Sequence, residues 1–112
     1  MGGAQVGKTT PPQRTASAAP RFIKAKKRLP TNVQLETDEQ VKEILKDPLR
    51  GEPKTGALRG VRVVKFKADD RQYLLAYTFR AKVNTVEVLD IGVHENFYKG
   101  LQDYLADRPI PK

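Results

Sequence analysis

Apolar residues recur along this chain in two rhythms. From Arg21 to Lys46 the spacing is helical. "RFIKAKKRL" sets Phe22, Ile23 and Leu29 among Lys24, Lys26, Lys27 and Arg28. Pro30 then breaks or restarts the pattern, because proline is tolerated only in a first helical turn. In "PTNVQLETDEQVKEILKD", Val33, Val41, Ile44 and Leu45 share one face with Thr37 between them. In a second reading Thr37 is an N-cap and Gln40 completes a capping box. Either way a helix ends near Lys46, before Asp47-Pro48, and the two helices form a hairpin.

After a Gly/Pro-rich loop, "RGEPKTGALRG", the period drops to two. Strands are predicted over residues 61–67 ("VRVVKFK"), 72–79 ("QYLLAYTF") and 85–91 ("TVEVLDI"), joined by the turns "ADDR" and "RAKVN". Residues 95–106 return to helical spacing, with Phe97, Tyr98, Leu101, Tyr104 and Leu105 on one stripe. "TASAAP", residues 15–20, has the makings of a short, poor strand. The order (β)ααβββα describes an α+β domain: a helical hairpin and a C-terminal helix packed on a small antiparallel sheet, helices on one face.

Alternation along the strands sorts their side chains. Val64, Phe66, Tyr73, Leu75, Tyr77 and Phe79 form the heavier set and should meet the helices. Lys65 and Lys67, with Gln72, Leu74, Ala76 and Thr78, then point to the opposite, open face.

Charge sharpens this picture. The formal net charge is +8, and it is unevenly spread. No acid precedes Glu36, whereas residues 50–82 carry Arg50, Lys54, Arg59, Arg62, Lys65, Lys67, Arg71, Arg80 and Lys82 against Glu52, Asp69 and Asp70. Such clustering favours a face that binds a polyanion, by counterion release and steering.

Other classes are excluded. The chain has no cysteine, hence no disulfide framework, no thiol nucleophile and no thiolate metal site. A single histidine with scattered carboxylates is not a zinc-ligand set. No stretch approaches the ~20 apolar residues that span a bilayer, and no secretory apolar core follows the N-terminus, so a cytoplasmic location is expected.

Residues 1–14 are rich in Gly, Thr, Pro and Gln and are expected to be a disordered extension, with residues 15–112 forming one domain. Gly2 to Thr9, "GGAQVGKT", satisfies the phosphate-loop pattern, but that loop needs a strand before it and a helix after it. Only Met1 precedes it and Pro11-Pro12 follows, so no nucleotide site is expected. The early lack of acids also fits a transit peptide, although the segment is not visibly amphipathic.

The one histidine, His94, lies in "GVHENFYKGL". With "ALRGVRVVKFK", "YLLAY" and "VEVLDI", this stretch resembles the RelE/ParE superfamily of toxins from bacterial type II toxin–antitoxin modules, over about residues 15–106. The most specific parts are "LRGVRVVKF" and "GVHENFYKGL". The resemblance implies a helical hairpin on a small antiparallel sheet, in agreement with the pattern above.

RelE-type members cleave messenger RNA on the ribosome, using the RNA's own 2′-hydroxyl as nucleophile. The resemblance therefore implies a metal- and cofactor-independent mRNA endoribonuclease that inhibits translation, neutralised by a cognate antitoxin. Such scission needs a base, an acid, and cations for the charged transition state. On this sequence the family's basic residues of the middle strand fall on Lys65 and Lys67, its glycine-plus-basic segment on Gly92 to His94, and its helix tyrosine on Tyr98. Imidazole ionises near neutral pH and suits either proton-transfer role. Arg59, Arg62, Arg71 and Arg80 are candidate RNA contacts, and Lys24 to Arg28 a further cationic stretch. Glu95 and Asn96 are read as helix caps, and Asp90 as a partner for a lysine of the neighbouring strand.

This sequence departs from the family pattern where Leu74 stands at a strand arginine and Val63 at a lysine. Those departures keep two further readings open: a ParE-like inhibitor of DNA gyrase without nuclease activity, and a non-catalytic basic RNA-binding domain.

Overall fold

A computed structural model describes residues 14–94 and 96–107. The expected extension, its phosphate-loop pattern and the proposed Glu95 cap lie outside the described residues, except that Arg14 is described. Arg14 donates from Nε to Asn84 Oδ1 (2.9 Å) and from a guanidinium NH to the Leu45 carbonyl, and its guanidinium lies 5.4 Å from the Phe79 ring centroid. It is tied to the domain.

The elements follow in the order β1 (Thr15–Ala18), α1 (Pro20–Lys27), α2 (Thr31–Lys46), β2 (Glu52–Pro53), β3 (Arg62–Ala68), β4 (Arg71–Arg80), β5 (Thr85–Val93) and α3 (Phe97–Asp107). Single 3-10 turns at Gly56–Leu58 and Ala81–Val83 fill the connections. Pro20 opens α1 at a position where its missing N–H costs nothing. Thr37 sits in the middle of α2, buried, its hydroxyl donating to the Val33 carbonyl (2.8 Å). That satisfies the hydroxyl inside the core, so the capping-box alternative is not adopted.

The sheet has five strands in the order β1-β5-β4-β3-β2. The predicted meander β3-β4-β5 is antiparallel, with Lys65 opposite Leu74 and Leu74 opposite Gly92. The edge strand β1 pairs in parallel with β5, Thr15 opposite Thr85, so the sheet is mixed rather than wholly antiparallel. The two helices α1 and α2 separate β1 from the other strands and supply the long connection that a parallel pairing requires. The β3–β4 turn puts Asp69 at φ 53° and Asp70 at φ 60°, the left-handed pair of a tight hairpin whose twist matches its strands.

The helices do not all lie on one face. The α1–α2 hairpin covers one side, where Phe22, Val33 and Ile44 pack with Val64, Phe66, Tyr73, Leu75, Tyr77, Val86, Val88 and Ile91. Helix α3 covers the other side, where Phe97, Leu101 and Leu105 pack on Leu58, Val61, Val63, Leu74, Ala76 and Leu89. The alternation predicted the two sets correctly, but the lighter set of Val61, Val63, Leu74 and Ala76 is apolar enough to require its own cover. The face expected to be open is therefore half closed. No helix among the described residues is long and apolar enough to cross a membrane.

One irregularity decides where the end of β5 points. Ala76 faces Asp90 but Tyr77 faces Val88, so β5 carries one extra residue. Val86 and Val88 face the hairpin before it; Ile91 and Val93 do so after it. An extra residue reverses the phase of the alternation. Gly92 and His94 are thereby turned to the α3 side, where a Cβ on Gly92 would stand 3.4 Å from the Phe97 ring.

Candidate functional site

The residues singled out from the sequence divide by place. On the α3 face, Gly92, Leu74 and Lys65 form one row across three strands. One step along, Gln72 and Lys67 form the next row, and His94 continues β5 just past its last pair, Tyr73 with Val93. Helix α3 starts here and runs back over Leu74 and Ala76, leaving Lys65, Lys67, Gln72 and His94 exposed. Two strand spacings, about 10 Å of backbone, separate the row positions of His94 and Lys67. Their side chains border one shallow surface at one end of the sheet.

His94 is joined to α3 by two contacts. Its carbonyl accepts from the Phe97 N–H (3.2 Å), and its ring meets the Tyr98 ring edge-on with centroids 5.7 Å apart. Tyr98 also packs edge-on against buried Phe97 (5.3 Å). Asn96, in the left-handed conformation at φ 62°, makes the turn that brings the helix back. Its carbonyl accepts from the Gly100 N–H (3.0 Å). Lys65 and Lys67 make no ion pair or hydrogen bond among the described residues, so their charge faces solvent.

The other predicted cations lie elsewhere. Arg80 is on the same alternation as Lys65 but pairs with Thr85, at the far end of β4. Eight residues separate it from Gln72, about 26 Å along the strand. Arg71 begins β4 at the near end, on the alternation of Tyr73, which faces the hairpin. Arg62 donates to the carbonyls of Leu49 (2.9 Å) and Gly51 (2.7 Å), pinning the loop between α2 and β2. Beside it the Tyr77 hydroxyl donates to the Pro48 carbonyl (2.7 Å) and accepts from the Gly51 N–H (2.9 Å). A Cβ at Gly51 would sit 2.8 Å from that ring, which is why the loop needs glycine there. Burial raises the Tyr77 phenol above its ordinary range. Arg59 is exposed after the first 3-10 turn.

Asp90 does not pair with a strand lysine. It is buried at the bulge and accepts from Arg21 Nε of α1 at 2.9 Å. The Arg21 guanidinium also lies 5.6 Å from the Tyr104 ring centroid. One arginine thus joins α1, β5 and α3. Burial raises the Asp90 carboxyl above its ordinary value, and the arginine offsets part of that.

Sequence reasoning missed one cation of the site, Lys54. The glycines and proline of the segment signal a loop, but Glu52 pairs with Val63 and the Lys54 N–H donates to the Val61 carbonyl (2.9 Å). This short edge strand carries the Lys54 ammonium to 5.1 Å from the Tyr98 centroid and 2.7 Å from Glu52 Oε1. The contact holds Glu52 below the usual carboxylate range, with Lys65 adding to the effect, and raises the lysine. The i, i+2 spacing of Glu52 and Lys54 was the available signal, since such residues share a face only in an extended strand.

Among the described residues no group of three or more His, Asp or Glu side chains could hold a metal ion. What the cluster offers is an exposed imidazole, a phenol, the unpaired ammonium groups of Lys65 and Lys67 and the Glu52-paired ammonium of Lys54.

A family model described as "ParE-like toxin of type II bacterial toxin-antitoxin system" matches residues 17–102. No curated protein matches the sequence. Solved structures match in fold. A doubly substituted mutant of the Escherichia coli toxin RelE in its free state is similar at a TM-score of 0.69 and 16% identity, covering 88% of this chain and 99% of that one. The toxin in the intact Escherichia coli RelBE toxin–antitoxin complex gives 0.62 at 20% identity, covering 73% and 98%. A RelBE complex from Mycobacterium tuberculosis gives 0.65 at 20%, covering 73% and 99%.

Proposed function

Because the chain belongs to the ParE-like toxins of type II bacterial toxin–antitoxin systems, we propose that it arrests growth as a metal-independent mRNA endoribonuclease, held in check by a cognate antitoxin. The observation that carries this reading is the exposure of His94, Lys65 and Lys67 at the uncovered end of the α3 face, with half-buried Tyr98 against the His94 ring. In the proposed reaction an RNA strand lies across that end. Lys65 and Lys67 neutralise the scissile phosphate and the extra charge of its pentavalent transition state. His94 takes the proton of the attacking 2′-hydroxyl or returns one to the departing 5′-oxygen, and Tyr98 stacks on a base or serves as the second proton donor. Scission leaves a 2′,3′-cyclic phosphate and a 5′-hydroxyl, so no water and no metal enter the balance.

The neighbours of the same fold include complexes with the antitoxin RelB. By analogy, an antitoxin here would bring an acidic or helical segment to the basic face. Transcript cleavage in a translation extract is the test. The reading expects discrete cuts in translated message that disappear with His94→Ala; intact message at concentrations that stop growth would refute it. A gyrase-directed toxin is the second reading, favoured by the ParE-like family model. It predicts trapped gyrase–DNA breaks and toxicity that survives His94→Ala.

A further inference from the structure

We propose that Lys54 is a further phosphate-binding residue of this face, held in reserve by Glu52 until an RNA phosphate displaces the carboxylate. This rests on the reading of RNA as the ligand. The backbone of Lys54 is fixed by its bond to Val61, so its side chain leaves the edge strand at a defined point. The ammonium then lies between two groups: the Glu52 carboxylate at 2.7 Å and the Tyr98 ring at 5.1 Å. Tyr98 in turn touches His94, so Lys54, Tyr98 and His94 form one continuous run of side chains.

The two members of the ion pair differ in freedom. The Lys54 side chain is 23% exposed and packed on the ring, whereas that of Glu52 is 64% exposed. The lysine is thus packed in place and the carboxylate is the solvent-exposed partner. An exposed pair of this kind contributes little to stability. Exchanging the carboxylate for a phosphate oxygen keeps the ammonium paired and releases Glu52 to water. Glu52 also faces Lys65, which adds to its ionisation. A depression of roughly 350 Å³ opens beside them, lined by Arg50, Glu52, Val63, Val64 and Lys65. It gives an anion room to approach from the Lys65 side. In the free protein Glu52 occupies the place of that anion and lowers affinity for weak or short ligands.

The test uses the full chain and a labelled single-stranded RNA bearing 2′-O-methyl groups, which cannot supply the attacking hydroxyl. Binding is measured against salt concentration. Lys54→Ala should weaken binding about 5-fold and reduce the slope of log affinity against log salt by about 0.7, the loss of one phosphate contact. Lys54→Arg should retain most of the affinity. Glu52→Gln should tighten binding about 3-fold, an effect that damage to the fold would not produce. Unchanged affinity and slope in Lys54→Ala, or weaker binding in Glu52→Gln, would overturn the proposal while leaving the nuclease reading intact. No binding of this RNA by the unsubstituted protein would overturn both. Binding that behaves as expected without any cleavage of ordinary RNA would leave Lys54 in place and remove the scission chemistry.

Discussion

The two faces of the sheet solve the same burial problem with different completeness. On the hairpin side two helices and the buried rings of Phe66, Tyr73 and Tyr77 close a continuous core. On the other side α3 covers only the middle of the sheet, and the β3–β4 end is left to Lys65, Lys67, Gln72 and His94. A face that must be fully apolar leaves no room for chemistry. A face covered by one eleven-residue helix leaves an edge where charged groups stay solvated next to a rigid strand. The candidate site lies on that edge.

If the hairpin side carries the stability, Leu75→Ala should be the most damaging change, about 3–5 kcal/mol in urea unfolding. Leu101→Ala, equally buried under α3, should cost about 2–4 kcal/mol. It should also speed amide exchange in α3 before the hairpin side responds. Equal loss of protection on both faces would dissolve the distinction. On the candidate edge, the nuclease reading expects His94→Ala to lower transcript cleavage about 100-fold or more, roughly 2.7 kcal/mol of barrier, with thermal unfolding unchanged. Back on the hairpin side, Tyr77→Phe removes a hydroxyl that both donates to Pro48 and accepts from Gly51. Unfolding stability should fall by about 1–2 kcal/mol.

The smallest effect tests the strut between the faces. Burial raises Asp90, so the native state holds that proton more tightly than the unfolded chain does. Its contribution is fullest below the ordinary aspartate value, about 3.9, and declines as pH rises through the raised native value. Asp90→Asn should flatten this decline in a melting series across that range. A steeper decline would mean that Arg21 controls the carboxyl more than burial does.

Much of the fold was legible in local pattern. The helical hairpin, the three long strands and the stripe of α3 each follow from a periodicity that a single element must satisfy. The two-residue strand β2 was not legible, because Gly51 and Pro53 signal a loop and its extended form comes from pairing with β3. With it went Lys54. Nor could pattern reveal that Arg62 serves two loop carbonyls or that Arg80 stands at the wrong end of its strand for His94. Those depend on register and on neighbours distant in the chain.

The amino-acid order by itself determined that His94 lies between the last strand and the terminal helix, that lysines alternate with core residues on β3, and that basic charge clusters there. It did not determine that these groups share a side. Strict alternation from Val86 and Val88 would aim His94 at the hairpin. The extra residue at Leu89–Asp90, with Asp90 held by Arg21, turns the strand end over to the lysines. A bulge is a property of the pairing between two strands, and its cost is met by contacts from α1 and α3. Only the assembled molecule contains that pairing.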